Sequence, residues 1–403
     1  MKKLLSFVCV LFMAFVCVAF SAGCGEKFDN TQPVDKADVK IGLICLHDES
    51  STYDKNFIDS MKRALANMGI SEEQLEIVTG VPEGPECYDT ACQLAKTCNF
   101  IFADSFGHED YIIQAAKKYP NVNFAHATGT KAHTEKLYNY GNAFANIYEG
   151  RYLAGVAAGM KLNEMIAAGK ITPSEAKMGY VGAFPYAEVK SGYTSFFLGA
   201  RSVCPTVTMD VRFTSSWYDY DKEMSAAQAL IGGGCVLISQ HADSYGAPVA
   251  CETAGVPNVS YNGSTVGQCP KTYVVSSKID WAPYYEYAIG QTLKGEEIAN
   301  DWTGTIASGS VKLDAVGSFA AAGTQAAIDA LTVVLKNGGL HVFDTDTFTV
   351  AGKKLTSYLA DIDDDGTYSH ETEVIANGYF HESEYRSAPA FDIDIDGITL
   401  INE

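Results

Sequence analysis

The sequence predicts an α/β fold of two lobes, each a doubly wound parallel sheet, with a ligand cleft between them. Three observations predict it. Short apolar runs alternate with segments of helical apolar spacing from residue 39 to residue 294. The links between them are short, as strand–helix–strand units require. The alternation occurs as two successive series, one before and one after Asn146.

The first series opens with a buried strand over residues 39–46. Phe57, Met61, Leu65 and Met68 then recur at helical spacing and predict a helix over 56–68. A strand at 75–78, a helix at 88–97, a strand at 100–103, a helix at 110–118 and a strand at 122–125 complete the series. The second begins with a long helix over 148–168. It continues as a strand at 179–182, a helix at 189–200, a strand at 206–213, a helix at 222–231 and a strand at 236–239. A helix at 248–254, strands at 258–261 and 273–277, and a helix at 284–294 follow. In such sheets ligands sit beyond the carboxyl ends of the strands. Two lobes facing each other there would close on a ligand by hinge motion. Residues 340–403 differ: they hold 14 Asp or Glu against 3 Lys or Arg, with strand-like pieces between turns such as Ala351-Gly352 and Asp365-Gly366.

The chain starts with Lys2 and Lys3, an apolar run from Leu4 to Phe20, and then Ser21-Ala22-Gly23-Cys24. The run is short and small residues follow it, which is the layout of a secretory signal and not of a membrane span. It resembles a bacterial lipoprotein signal, in which the cysteine is acylated, although Ser21 stands where such signals usually carry Leu. Lipidation at Cys24 is expected, with ordinary secretion after cleavage near Ala22 as the alternative. The expected organisation is therefore signal 1–24, tether 25–37, a first lobe of 38–145 with 276–308, and a second lobe of 146–275 with 309–403.

The 403 residues carry a net charge of −20, near −22 once Lys2 and Lys3 are removed. That excludes a nucleic-acid polymer as partner, since such partners require clustered Lys and Arg. Apolar residues make up 47% of the chain, enough for a large core. Of 11 cysteines, eight lie beyond Cys24. Cys45 and Cys235 sit in apolar runs and read as buried thiols. Cys87, Cys92, Cys98, Cys204, Cys251 and Cys269 are the expected bridge formers if the protein is oxidised, and eight cysteines allow 105 pairings. The spacing Cys87-x4-Cys92-x5-Cys98 does not match a zinc site.

Several stretches carry a resemblance. Glu149-Gly150-Arg151-Tyr152-Leu153-Ala154-Gly155-Val156-Ala157-Ala158-Gly159 places small residues on one helix face, suited to close approach to a sheet. With Gly179-Tyr180-Val181-Gly182-Ala183, Ser216-Trp217-Tyr218-Asp219-Tyr220-Asp221-Lys222, Ser239-Gln240-His241-Ala242-Asp243-Ser244 and Ser277-Lys278 followed by Asp280, it is similar to the basic membrane protein family of solute-binding lipoproteins, which includes purine nucleoside receptors of ABC importers. The resemblance covers about residues 39–345. It implies a type I periplasmic-binding-protein fold with a purine held between aromatic rings, where stacking contributes about 1–3 kcal/mol per base. By position it implies Phe57 and Trp217 as the stacking pair. Asp54, Asp104, Phe106, Asp219, His241, Asp243, Asn262 and Lys278 are the further ligand-binding candidates. Ile58 and Asn262 depart from the family's Asn and Asp at those places. Asn262 lacks the charge-assisted bond a carboxylate gives a ribose hydroxyl, which leaves base and nucleoside both open.

The same residues have plainer readings. Phe57 with Met61 fits a core face, and Asp54 a helix N-cap. His241 and Asp243 fit a hydrogen-bonded turn, Asn262-Gly263 a tight turn, and Lys278 after an apolar strand calls for a polar partner. Asp392-Ile393-Asp394-Ile395-Asp396-Gly397 with Glu403 has calcium-loop spacing but reads better as a strand and turn. No G-x-S-x-G elbow, P-loop or H-E-x-x-H is present. No catalysis, metal or cofactor is expected, and the chain itself has no need of ATP. The expected function is a lipid-anchored receptor on the outer face of the cell membrane, monomeric, delivering a purine base or nucleoside to ABC permease and ATPase subunits. The alternatives are a simple-sugar receptor of the same fold, a nucleoside-processing surface enzyme, and a surface sensor without a transporter.

Overall fold

A computed structural model describes residues 32–362 and 371–401. The signal, Cys24, the Asp365-Gly366 turn and Glu403 lie outside the described residues. The first series runs β1 (Ile41–Ile44), α1 (Thr52–Met68), β2 (Leu75–Val78), α2 (Pro85–Leu94), β3 (Phe100–Ala103), α3 (Glu109–Lys118), β4 (Asn123–Ala127), α4 (Ala132–Glu135) and β5 (Tyr140–Ala145). The second runs α5 (Ile147–Ala167), β6 (Lys177–Gly182), α6 (Ala187–Val203), β7 (Thr208–Phe213), α7 (Tyr220–Gly232), β8 (Leu237–His241), α8 (Gly246–Ala254), β9 (Asn258–Tyr261) and β10 (Tyr273–Ile279). Then come α9 (Ala282–Lys294), β11 (Asp301–Gly304), β12 (Val311–Leu313) and α10 (Thr324–Lys336). The acidic tail adds β13 (Leu359–Ala360), β14 (Thr372–Glu373), β15 (Ile375–Ala376), β16 (Tyr379–Phe380) and β17 (Ile398–Leu400).

The strands form two large sheets, ordered β11-β5-β4-β3-β1-β2 and β12-β10-β9-β8-β6-β7-β17. Every pairing within them is parallel except β10 with β12. Helices cover both faces, so central strands are buried on both sides and read as apolar runs, as in Ile41-Gly42-Leu43-Ile44. Strand β10 stays in the second sheet through Ile279, so the chain crosses back at Asp280-Trp281 and not at 276. Asp280 is buried at that crossing. It accepts hydrogen bonds from Arg63, Lys312 and the Ala282 amide, which together hold its pKa below the ordinary carboxylate value although burial alone would raise it.

Helix α1 begins where Ser51 caps the Asp54 amide, and ends at Gly69, whose φ of 65° needs a residue without a side chain. The small residues of α5 divide between two neighbours. Gly150 faces the sheet, where a Cβ would lie 2.8 Å from Val311. Gly155 and Gly159 face α6 instead, and a Cβ on Gly155 would lie 2.0 Å from the Phe196 carbonyl oxygen. The expected approach to the sheet is therefore mainly an approach to a helix.

All eight described cysteines are free and buried, including the six expected as bridge formers. They pack as small apolar groups. Burial pushes the thiols of Cys87 and Cys235 up to about 12 and that of Cys98 up to about 11.

Candidate functional site

The two sheets face each other by the carboxyl ends of their strands, and one slot lies there. Every side chain that lines it sits at such a strand end or in the loop or first helical turn just past one. From the first lobe, the loop and turn after β1 supply Leu46, His47, Tyr53 and Asp54, that after β3 supplies Ser105 and Phe106, and that after β4 supplies Thr128. From the second, Glu188 follows β6, Trp217 follows β7, His241 ends β8 and Asp243 follows it, and Asn262 follows β9.

The lobes touch across this slot. The Asp243 carbonyl accepts from the Thr52 amide at 3.0 Å and from its hydroxyl at 3.2 Å, while the Asp243 amide donates to the Trp217 carbonyl at 2.9 Å. A run of rings crosses between them. Phe106 stacks on Tyr186 at 5.3 Å, Tyr186 on Phe184 at 5.2 Å, and Phe184 meets Trp217 edge-on at 5.1 Å. Trp217 thus stands beside the slot held by its own lobe, ready to offer a π face.

Asp54 is a nearly fully buried carboxylate at the floor. Its Oδ1 accepts from the His47 amide at 2.7 Å and its Oδ2 from the Ser51 hydroxyl at 2.6 Å. Burial would raise its pKa, but the hydrogen bonds from His47 and Ser51 win and it lies below the ordinary value. Asp243 goes the other way: burial, the charge of Asp54 and those of Glu223 and Glu188 push it well above the ordinary carboxylate range. The slot therefore sets Asp54, whose pKa is held down, against Asp243, whose pKa is pushed up, with the Glu188 carboxyl beside them. A carboxyl accepts and, when protonated, also donates, which complements an edge that does the same. Burial lowers the pKa of His241, against the pull of Glu188 at 3.4 Å.

Three atoms of lining residues have no hydrogen-bond partner among the described residues: Thr128 Oγ1, His241 Nδ1 and Asn262 Nδ2. A buried polar group left unpaired costs about 1–3 kcal/mol. Thr128 and Asn262 also hold left-handed backbones, φ 63° and 62°. Asn tolerates that conformation, but for β-branched Thr it is strained, and strain of this kind collects at ligand sites.

The structure thus gathers six of the ten sequence-predicted site residues around one slot: Asp54, Phe106, Trp217, His241, Asp243 and Asn262. Four fall elsewhere. Phe57 is fully buried in the core, stacked on Trp281 at 4.3 Å, and the first-lobe aromatic at the slot one turn earlier is Tyr53. Asp219 caps α7 by accepting from the Lys222 amide at 3.0 Å. Lys278 pairs with Asp314 at the edge of the second sheet. Asp104 lies beneath the slot: Oδ1 accepts from the Leu46 amide at 3.1 Å, Oδ2 is unpaired, and burial together with Asp54 raises its pKa strongly.

Tyr53, His47, Thr128 and Glu188 were not legible as site residues. They follow strand ends as Asp104 and Asp243 do, which is the signal that would have found them. The calcium-spaced aspartates take separate protein partners: Asp392 binds Tyr358, Asp394 binds Tyr193 and Lys190, and Asp396 binds Thr349 and Gly352.

A family model described as ABC transporter substrate-binding protein, PnrA-like, matches residues 41–332, which takes in every slot residue. The chain belongs to the Bmp family. A purine-binding protein of Brucella abortus is 34% identical over 56% of this chain and 61% of its own length. A putative ABC transporter glucose-binding protein of Haloferax volcanii is 36% identical over 54% of this chain and 52% of its own. The chain thus spans between half and two thirds of the length of these relatives. A solved solute-binding protein of Conexibacter woesei superposes with a TM-score of 0.60 at 19% identity, covering 75% of this chain and 98% of that one, which shows the shared fold. Bmp proteins are substrate-binding components of ABC transporters, and no helix among the described residues is long and apolar enough to cross a membrane.

Proposed function

We propose that this Bmp protein captures a purine base or nucleoside in the interlobe slot and delivers it to an ABC permease on the outer face of the cell membrane, where a lipid on Cys24 would hold it. The observation that carries the reading is the make-up of the slot: Trp217 on one lobe and Tyr53 and Phe106 on the other flank a space whose edges present Asp54, Asp243 and Asn262. A flat ring with donors and acceptors around its rim satisfies all of these at once. Closure buries polar groups that only a matching rim pairs, which is the source of discrimination. The purine-binding relative supports the same class.

The second reading is a simple sugar, favoured by the name of the Haloferax relative. A sugar pairs hydroxyls with carboxylates but leaves the ring stack without an aromatic partner. Isothermal titration of the mature chain, refolded to strip carried ligand, separates them. Binding of adenine, guanine, adenosine or inosine is expected; no heat with any of the four, or heat with glucose alone, would overturn the purine assignment.

A further inference from the structure

Two of the first lobe's slot-lining loops are tied together by one side chain. Glu109 opens α3, three residues past Phe106, and is buried. Its Oε2 accepts from the Thr130 amide at 3.0 Å, and its Oε1 from the Lys131 amide at 3.0 Å. The same Oε1 accepts from the Tyr140 hydroxyl and from Asn142 Nδ2, both at 3.0 Å. Asn142 Oδ1 takes the next amide of the loop, that of Ala132, at 2.8 Å. Three successive amides of the segment after β4 therefore end on one side chain from α3 and one from β5. A second tie runs beside the first: His126 Nε2 lies 2.6 Å from the Ser105 carbonyl, which joins β4 to the turn after β3.

The loop rests directly on this nest. A Cβ on Gly129 would lie 2.0 Å from Asn142 Nδ2 and 2.3 Å from Glu109 Oε1. Thr128, the residue before it, holds the left-handed backbone that β-branched residues avoid, and such strain persists only where the surroundings over-determine it. The amides fixed at 130–132, with the Thr128 amide held on the Ala143 carbonyl at 3.2 Å, supply that constraint. The outcome is a Thr128 hydroxyl at the slot with no partner among the described residues.

We propose that Glu109 is a positioning residue for ligand capture: it clamps the loop after β4 to the turn after β3, so that the Thr128 hydroxyl meets the ligand already in place. The inference rests on the slot being the ligand site. Anchoring the start of α4 explains the amide bonds, but not why they force a β-branched residue into a strained backbone beside the slot. The clamp requires a carboxylate. Both oxygens of Glu109 face N–H donors, so an amide in its place turns its NH2 toward one of them whichever way it is flipped. A loop fixed in advance spares the ligand the cost of ordering it, which strengthens binding.

The test is calorimetry with adenine and adenosine on the mature chain and on Glu109→Gln, each with and without Thr128→Val. Glu109→Gln should weaken binding about tenfold, the scale of one buried hydrogen bond lost, and the loss should vanish where Thr128→Val has already removed the hydroxyl. Tyr140→Phe is the structural control. It removes a bond to Glu109 that does not reach the loop, so it should lower the urea midpoint and leave both affinities unchanged. Gly129→Ala presses on the same nest from the loop's own side and serves if Glu109→Gln does not fold; it should weaken binding in the same Thr128-dependent way. Wild-type affinity in Glu109→Gln or Gly129→Ala, or an equal loss with and without Thr128→Val, would overturn the clamp and leave the purine slot standing. Hydrogen exchange without ligand covers the remaining case. If the wild-type chain binds neither purine, the purine reading falls, and the clamp is still decided by exchange at residues 105–106 and 128–131. Faster exchange there in Glu109→Gln or Gly129→Ala, with the rest of the chain unchanged, supports it; unchanged exchange there overturns it.

Discussion

At the scale of single residues, Phe57 and Trp217 mark the sharpest contrast in the molecule. Both are aromatic, and both fit a stacking role by position in the chain. Phe57 is at zero exposure among Phe102, Trp281 and Tyr53, whereas Trp217 faces the slot. Phe57→Ala should therefore cost about 3–5 kcal/mol of stability by opening a core cavity. Trp217→Ala should leave stability within about 1 kcal/mol and weaken purine binding by about 1–3 kcal/mol, roughly 5- to 150-fold. Urea unfolding and calorimetry on the two variants read the contrast, and equal effects on both quantities would refute it. Buried glutamates give a second prediction. Burial lifts Glu149, Glu223 and Glu382 from an ordinary 4.5 to about 7. Between those values the folded state binds more protons than the unfolded one, so these groups make stability fall as pH rises from about 4.5 to about 7 and add no further slope above it. Replacing Glu382 by Gln should flatten that part of a Tm-against-pH curve, and an unchanged slope would show that Glu382 does not carry it. In the sequence, Trp217 was legible through the resemblance of its loop 216–222 to the family, and Asp243 through that resemblance together with its place just past a strand end, where this kind of sheet binds ligands. Tyr53 and Phe57 were not separable there, because both lie on one face of α1 and only packing against Trp281 and Phe102 decides which is covered.

Among the elements, legibility follows burial. Strands β1 and β3 are apolar runs buried on both faces and stood out at once. Strand β5, Tyr-Gly-Asn-Ala-Phe-Ala, is just as buried, yet its Asn142 is there to donate to Glu109 and to accept from the Ala132 amide, so no apolar run marks it. Edge strand β11, Asp-Trp-Thr-Gly, is half-exposed and carries Asp301 for the tail to grip. The α5–α6 contact gives the prediction that belongs here. Gly155→Ala puts a methyl 2.0 Å from the Phe196 carbonyl and should cost about 1–3 kcal/mol or more through overpacking. Gly290→Ala in α9 meets nothing within 4 Å and should instead stabilise by up to about 1 kcal/mol, from helix propensity alone. Midpoints of urea unfolding distinguish the two, and a harmless Gly155→Ala would mean that the helices do not approach as closely as described.

For the whole molecule, two sheets meet carboxyl end to carboxyl end, with the chain crossing between them at Asn146, Asp280 and the β11–β12 link. A ligand between them adds contacts to both lobes and therefore stabilises the closed arrangement over any open one. The most direct test is thermal unfolding of the refolded mature chain against adenine, guanine, adenosine, inosine and glucose, repeated on Trp217→Ala. Purines should raise the midpoint, by about 2.7 kcal/mol of added stability at 100 times the dissociation constant, and Trp217→Ala should shrink the shift. A shift with glucose alone, or a purine shift untouched by loss of Trp217, would contradict a purine receptor built on that ring.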